Sequence, residues 1–518
     1  MPMKRLLVLA IVALFAMLVP IASADEISNT KSFRRGVTVE AIRQHQAALQ
    51  AIATANNGNR LSGTSGYDAS AQYVADQLRS VGYTVRFQDF VFLLVGDRTP
   101  PILQQISPTP TTYVNGIDYA TMNYSGSGDV TAPLVAVDLL VPSPAENSST
   151  SGCEAADFAG FPAGAIALMQ RGTCTYRIKA ENALAAGAVG VIVFNEGNPG
   201  RTALATGTLN PPLFSLPSIT VPTSLGNTLR NGVLNGPTGR TIRLRVDSIA
   251  ENRTTRNVIA ETRGGNANSV VVVGAHLDSV SRGPGINDNG SGSATILEVA
   301  KVFERQDRDP RNKVRFIWFG AEESGLLGSN YYVSSLSEAE RAKIKLNLNF
   351  DMIGSPNFVR FVYDGDNSAF GPPNATVGPP GSGEIERVFR DYFASQGLAV
   401  EPTPFNGRSD YGPFINNGIP AGGLFTGAEG IKTPAQAAVY GGTAGQQFDP
   451  CYHLACDTYD NNSNVVLDQM SDAVAHAVLH FAKRNLTKDP LVNPTVAPDS
   501  GSGGGGGLHD DHDHATDR

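Results

Sequence analysis

The chain has 518 residues, of which 41% are hydrophobic and only 17% charged, against roughly 25% in ordinary soluble domains. Its formal charge of −8 excludes a protein that coats nucleic-acid phosphates, which would carry a basic footprint. The length implies two or three domains rather than one core, and with eight histidines and four cysteines in all, a cluster of either type carries information.

In chain order, Lys4 and Arg5 precede an apolar run from Leu6 to Pro20 and the small-residue pattern Ala22-Ser23-Ala24. Residues 1–24 therefore read as a secretory signal peptide whose apolar part is short for a membrane span. The mature protein is expected to be secreted or periplasmic and not membrane-bound. Residues 38–54 and Tyr67 to Val81 have helical periodicity, with a loop from Asn59 to Gly66 between them and Gly82 closing the second.

Residues 99–244 differ in texture. Strand-like runs (Ala132 to Val141, Gly164 to Met169, Gly190 to Phe194) alternate with loops rich in Ser, Pro and Gly, and charge is sparse. This stretch reads as an insert that separates a first part of the main domain, 25–98, from a second, 245–487. Export permits disulfides, and the short separations favour two local bridges, Cys153–Cys174 and Cys451–Cys456. A cysteine zinc site would need paired CxxC spacings, which are absent.

From about residue 245 strands and helices alternate. Strands are expected at Ser269 to Ala275, Lys313 to Gly320 and Leu346 to Met352, and helices at Ser291 to Gln306, near 382–396 and near 464–484. Such alternation implies a mostly parallel sheet with helices on both faces, which binds ligands beyond the carboxyl ends of its strands. Residues 488–518 form a linker, Gly501 to Gly507, and a tail in which His509, His512 and His514 alternate with acids. This tail reads as a solubilising end rather than a metal-binding tract.

Setting the tail aside leaves His45, His276, His453, His476 and His480. His276 ends the first strand in GAHLDS, with Asp278 two residues on, and Asp288 sits in the glycine-rich GINDNGSG. Glu322 and Glu323 follow the second strand in GAEESG, Asp351 ends the third in NFDMIG, and His453 lies in CYHLAC. Imidazoles and carboxylates at successive strand ends make a ligand set for divalent metal. Two histidines with three carboxylates exceed one tetrahedral ion with an open position and suit two ions sharing a carboxylate, leaving a further acid to deprotonate a water. His476 and His480 have i, i+4 spacing, but HAVLH lacks the Glu of HExxH and lies on an apolar-striped helix, so both read as structural.

The motifs GAHLDS, GINDNGSGSA, GAEESGLLGS, NFDMIG, GRSDYGPF and CYHLACDT occur in that order, after ANNGNRLSGTSGYDASAQYVADQL. Together they resemble the secreted bacterial di-zinc aminopeptidases of the leucyl aminopeptidase type, whose wider family includes glutamate carboxypeptidase. GTCTYRIKAENALAAGAVGVIVFN resembles a protease-associated domain. The resemblance implies an α/β fold, a mostly parallel mixed sheet sandwiched by helices, with an inserted β-rich α+β protease-associated domain.

It also implies two Zn²⁺ per chain, with His276 and Asp351 on one, Glu323 and His453 on the other, and Asp288 bridging. Glu322 would be the general base, Asp278 would orient His276, and Tyr452 would stabilise the tetrahedral intermediate. Arg408 would lie near the substrate's end, while Met352 and Phe425 would line a pocket for a large apolar N-terminal side chain. The implied partner is a peptide with a free N-terminus, bound by a monomer, with no nucleic acid and no membrane. Some relatives bind calcium at the positions of Asp468 and Asp472 plus an acid near the mature N-terminus. FRRGVT replaces that acid here, so calcium is not expected.

Three other functions compete. A carboxypeptidase of the same scaffold needs a basic pocket, a single-zinc cyclase needs only part of the ligand set, and a non-catalytic binding relative would have lost ligands that this chain keeps. A serine hydrolase is disfavoured because no GxSxG elbow occurs.

Overall fold

The computed structural model describes residues 21–306, 308–371 and 376–492, so residues 1–20 of the expected leader and the tail beyond residue 492 lie outside the described residues. The central sheet contains β1 (Val85–Asp97), β2 (Ser248–Glu261), β3 (Asn266–His276), β4 (Asn312–Phe319), β5 (Ile344–Phe350), β6 (Phe361–Tyr363), β7 (Glu401–Thr403) and β8 (Ala421–Phe425). Their spatial order is β1-β2-β4-β3-β5-β8-β6-β7. The run β4, β3, β5, β8 is parallel, while antiparallel pairs β1/β2, β2/β4 and β6/β8 make the sheet mixed.

Helices pack on both faces: α1 (Ile21–Arg34), α2 (Val39–Ala55), α3 (Ser65–Ser80), α4 (Gly290–Arg305), α5 (Leu327–Ser335), α6 (Ser382–Ser395), α7 (Tyr411–Asn416) and α8 (Asn464–Lys483). The unbroken valine run in β3 reflects this double cover. Side chains alternate along a strand, so Val271 and Val273 join a core with Leu49 of α2, Val299 of α4 and Val474 of α8. Val270 and Val272 instead meet Tyr332 of α5 and Phe414 of α7 on the opposite face. Trp318 of β4 is fully buried and donates its indole N–H to the Ser293 carbonyl at 3.0 Å, tying the sheet to the first turn of α4.

Between β1 and β2 the chain builds a second eight-stranded sheet, from Ile102–Ser107 to Gly236–Val246, with helices Tyr176–Ala185 and Thr223–Arg230 and its own hydrophobic cores. β1 and β2 pair without a break from Val85/Ala260 to Asp97/Ser248, so this insert is carried at the end of a long antiparallel ribbon. Both expected disulfides are present, Cys153–Cys174 in the insert and Cys451–Cys456 in the main domain.

Most predicted elements appear within a few residues of their expected bounds. The strand expected at Ala132 to Val141 runs instead over Gly128–Ala136, because Asp138 adopts the left-handed conformation (φ 44°) and ends the extended run. Among the described residues no helix is long and apolar enough to cross a membrane.

Leu348 lies in β5 with no exposed surface. Leu348→Ala should cost about 2–5 kcal/mol by leaving a cavity. The expected result in denaturant titration is a lower midpoint for the main domain, with the insert's own transition unmoved.

Candidate metal centre

Because β4, β3 and β5 are parallel neighbours, the residues that follow them converge at one edge of the sheet. His276 closes β3, Glu322 and Glu323 follow β4, Asp351 follows β5, and Asp288 sits at the approach to α4. His453 arrives from the loop closed by Cys451–Cys456.

The geometry centres on Asp288. Its Oδ1 lies 3.2 Å from His276 Nε2 and its Oδ2 lies 3.2 Å from His453 Nε2, so one carboxylate faces two imidazoles. His276 Nε2 is also 3.2 Å from Asp351 Oδ1 and 3.9 Å from Glu322 Oε2, and His453 Nε2 is 3.0 Å from Glu323 Oε2. Candidate ligand atoms fall into two overlapping groups, His276 with Asp288 and Glu323, and His276 with Glu322 and Asp351. Buried Glu323 Oε1 and Asp278 Oδ2 have no hydrogen-bond partner among the described residues. Nitrogen and carboxylate donors in this mixture fit zinc, and spare carboxylate oxygens fit ligation.

Surrounding groups aim these side chains. The Asp278 carbonyl is 3.2 Å from His276 Nδ1 and its carboxylate 3.6 Å, which directs the other ring nitrogen into the site. Ser409 donates to Asp351 Oδ2 at 2.6 Å and accepts from Asn349 at 2.8 Å. Asp457 accepts the backbone N–H groups of Asn287 and Asp288 at 2.8 and 3.0 Å. The Asp288–Asn289 peptide bond is cis. Asn289 accepts from Gly292 N and donates to the Phe350 carbonyl, both at 2.9 Å, locking the start of α4 onto the end of β5. A methyl group at Gly292 would lie 2.2 Å from the Phe350 oxygen, so glycine is required for that approach.

Charge is unbalanced here. Burial lowers the pKa of His453, but Glu323 and Asp288 outweigh it and hold it at about 10. His276 is likewise depressed by burial, yet the Asp351 and Glu322 charges keep it well above the usual imidazole range. Burial pushes the carboxyls of Glu322 and Glu323 up, and Asp410 up to about 7.

Tyr452 stacks on His453 with ring centroids 3.8 Å apart, and its hydroxyl is 3.3 Å from Arg408 Nη2. Arg408 Nη1 is in turn 2.6 Å from Glu429 Oε1. Met352 and Phe425 follow and end the adjacent strands β5 and β8, beside one another at the Thr426 N–H to Met352 carbonyl bond of 2.8 Å. The remaining histidines sit elsewhere: His45 pairs with Glu298 at 3.2 Å, and His476 on α8 meets the Thr30 hydroxyl at 2.8 Å. His480 lies on that same helix. Asp472 is ion-paired with Arg34 at 3.2 Å.

Residues that the sequence reading did not single out complete the frame. Arg60 is fully buried, and its guanidinium donates to the carbonyls of Pro284 (2.9 Å), Gly285 (2.6 Å) and Leu277, spanning both loops that carry His276 and Asp288. Its only sequence signal is its place in NGNRLSGT, and Asp457 and Ser409 similarly sit inside motifs without an assigned role.

Residues 257–478 match the family model described as Peptidase family M28, and residues 130–229 match the PA domain. The chain is 51% identical over 436 residues to an aminopeptidase of Pseudomonas aeruginosa, covering 82% of this chain and 78% of the relative. It is 39% identical over 497 residues to leucine aminopeptidase 2 of Trichophyton equinum, covering 94% and 93%. Among solved structures it is similar to BSAP, a zinc aminopeptidase from Bacillus subtilis, with a TM-score of 0.60 and 28% identity over 87% of this chain and 96% of that one.

The raised His453 pKa has a definite sign. Without a cation, the protonated imidazole stabilises the fold below its ordinary value of 6.5, and that contribution is lost as pH rises through about 10. The metal-free protein should therefore lose thermal stability over that window. Zinc binding should release protons and strengthen as pH rises, which calorimetry in buffers of different protonation heat will measure. Absence of proton release would remove the histidines from the ligand set.

Proposed function

The chain belongs to peptidase family M28, carries a PA domain and is a metallo-aminopeptidase, and from that premise we propose that it is a secreted di-zinc enzyme removing large apolar residues from peptide N-termini. The observation that carries this reading is the Asp288 carboxylate, each oxygen of which faces a different imidazole. His276 and Asp351 would hold one ion, Glu323 and His453 the other, with Asp288 between them. When bound, the ions would polarise the scissile carbonyl and acidify a water beside it.

The chain's own groups supply the remainder. Glu322 takes a proton from the attacking water and passes it to the departing amine nitrogen. Its burial supports that role, since it raises the carboxyl's affinity for a proton. Arginine has no acceptor, so Tyr452 oxygen must accept from Arg408, and the hydroxyl keeps its own hydrogen to donate to the developing oxyanion. Arg408 is then chiefly a holder of Tyr452, itself held by Glu429. Glu322 and Asp351 receive the substrate's free α-amine, and Met352 and Phe425 flank the first side chain. Two disulfides favour an oxidising compartment. One chain supplies the full set of groups, so the enzyme is read as acting as a monomer.

Glu322→Ala should retain the wild-type metal content while kcat falls by about 10²–10⁴-fold. Asp288→Ala should instead lose metal, and two ions per chain in that variant, read by elemental analysis, would remove its bridging role. The end specificity is tested separately with leucine amides, free and N-acetylated. Only the free amine should be cleaved, and hydrolysis of the acetylated form would point to the carboxypeptidase of the same scaffold.

A further inference from the structure

Between the motifs that supply His276 and Asp288 the chain carries Arg282, in SRGPG. It stands beside the loop that carries Tyr452 and His453: a methyl group on the next residue, Gly283, would lie 2.1 Å from the Leu454 carbonyl, and its charge interacts with Glu323, Asp97 and Tyr452. Its side chain is partly exposed and, among the described residues, makes no hydrogen bond or close ion pair. Glu323 Oε2 pairs with His453, and neither Glu323 nor Asp97 is within ion-pairing distance of the guanidinium among the described residues.

The insert braces this arginine. At Gly116 (φ +84°) a methyl group would lie 2.7 Å from Arg282 Nη1 and 3.1 Å from Leu454 Cδ2, so the insert's backbone lies against both. The turn there is internally fixed: Val114 N–H donates to Asp118 Oδ2, Asp118 N–H to the Val114 carbonyl, and Gly116 N–H to the Tyr119 carbonyl, each at 2.8 Å. Beside Gly116 the turn exposes Val114 and Ile117, at 52% and 55%. The insert thus sets a turn with two exposed apolar side chains against Arg282, whose guanidinium makes no hydrogen bond among the described residues.

The aminopeptidase orientation above puts the substrate's amine at Glu322 and Asp351, so the chain beyond the scissile bond leaves on the Glu323 and Tyr452 side. Resting on that orientation, we propose that Arg282 binds the C-terminal carboxylate of a di- or tripeptide, with Val114 and Ile117 of the insert packing on the side chain that follows the scissile bond. A guanidinium forks onto a carboxylate through two parallel hydrogen bonds. The enzyme then prefers short peptides ending in a free acid to their amides.

The test compares Leu-Leu with Leu-Leu-amide, and Leu-Leu-Leu with its amide, for wild type, Arg282→Gln and Arg282→Lys. A charge-assisted bond should give wild type an acid-to-amide ratio in kcat/KM of about tenfold for at least one length, carried by KM and weakened by salt. Arg282→Gln should bring that ratio close to one, and Arg282→Lys should restore part of it. A wild-type ratio of one or less at both lengths overturns the proposal, and that measurement needs no variant. Equal loss on acids and amides in Arg282→Gln also overturns it. Cleavage of N-acetyl-Leu-Leu would overturn the orientation itself, a different result from any of these.

Discussion

Asp278, Asp288, Glu322, Glu323, Asp351 and Asp410 share one buried region, and among the described residues they outnumber the cations set against them, His276, His453 and the buried Arg60. Taking carboxylates out of water is costly unless each finds a cation or gives up its charge. Both responses are visible: the imidazoles hold protons far above their usual range, while Glu322, Glu323 and Asp410 are pushed toward the neutral acid. An apolar replacement would pack better here, so this arrangement is a cost to stability that divalent cations relieve.

Keeping such a pocket intact places its demands on the backbone. Arg60 ties down three carbonyls, Asp457 takes two consecutive N–H groups, and Asn289 fastens α4 to β5. These groups satisfy buried polar atoms that would otherwise be orphaned. They also fix the loops at both ends, so the Asp288 oxygens point at two imidazoles rather than wander with a mobile turn. The parallel sheet contributes alignment, since neighbouring strand ends already lie side by side.

The main-domain strands and the two-histidine, acid-rich cluster were legible in the sequence for a shared reason. β3 to β5 are locally patterned, and the rare residues fall at their ends, so short windows suffice. The β1/β2 ribbon was not legible: Val85 pairs with Ala260, and no window joins residues so far apart. Its alternation, with Phe90, Phe92 and Leu94 buried and Val91 and Leu93 exposed, would have marked β1 as a strand but not its partner. Arg60 and Arg282 were invisible for another reason. Each is one among 40 basic residues, and its role depends on which backbone or rim it reaches in three dimensions.

Among the described residues the insert meets the main domain at the end of the β1/β2 ribbon and again beside the metal centre, two contacts of different kind. The β1/β2 ribbon alone would let it pivot about the sheet edge. The contact of Gly116 with Arg282 and Leu454 adds a second hold, at the mouth of the site. Leu454 is the residue after His453, within the short loop closed by Cys451–Cys456, and its carbonyl packs on Gly283. The Gly116 turn therefore packs at once on the loop that carries His453 and on the segment that leads to Asp288, and the insert is thereby set against both.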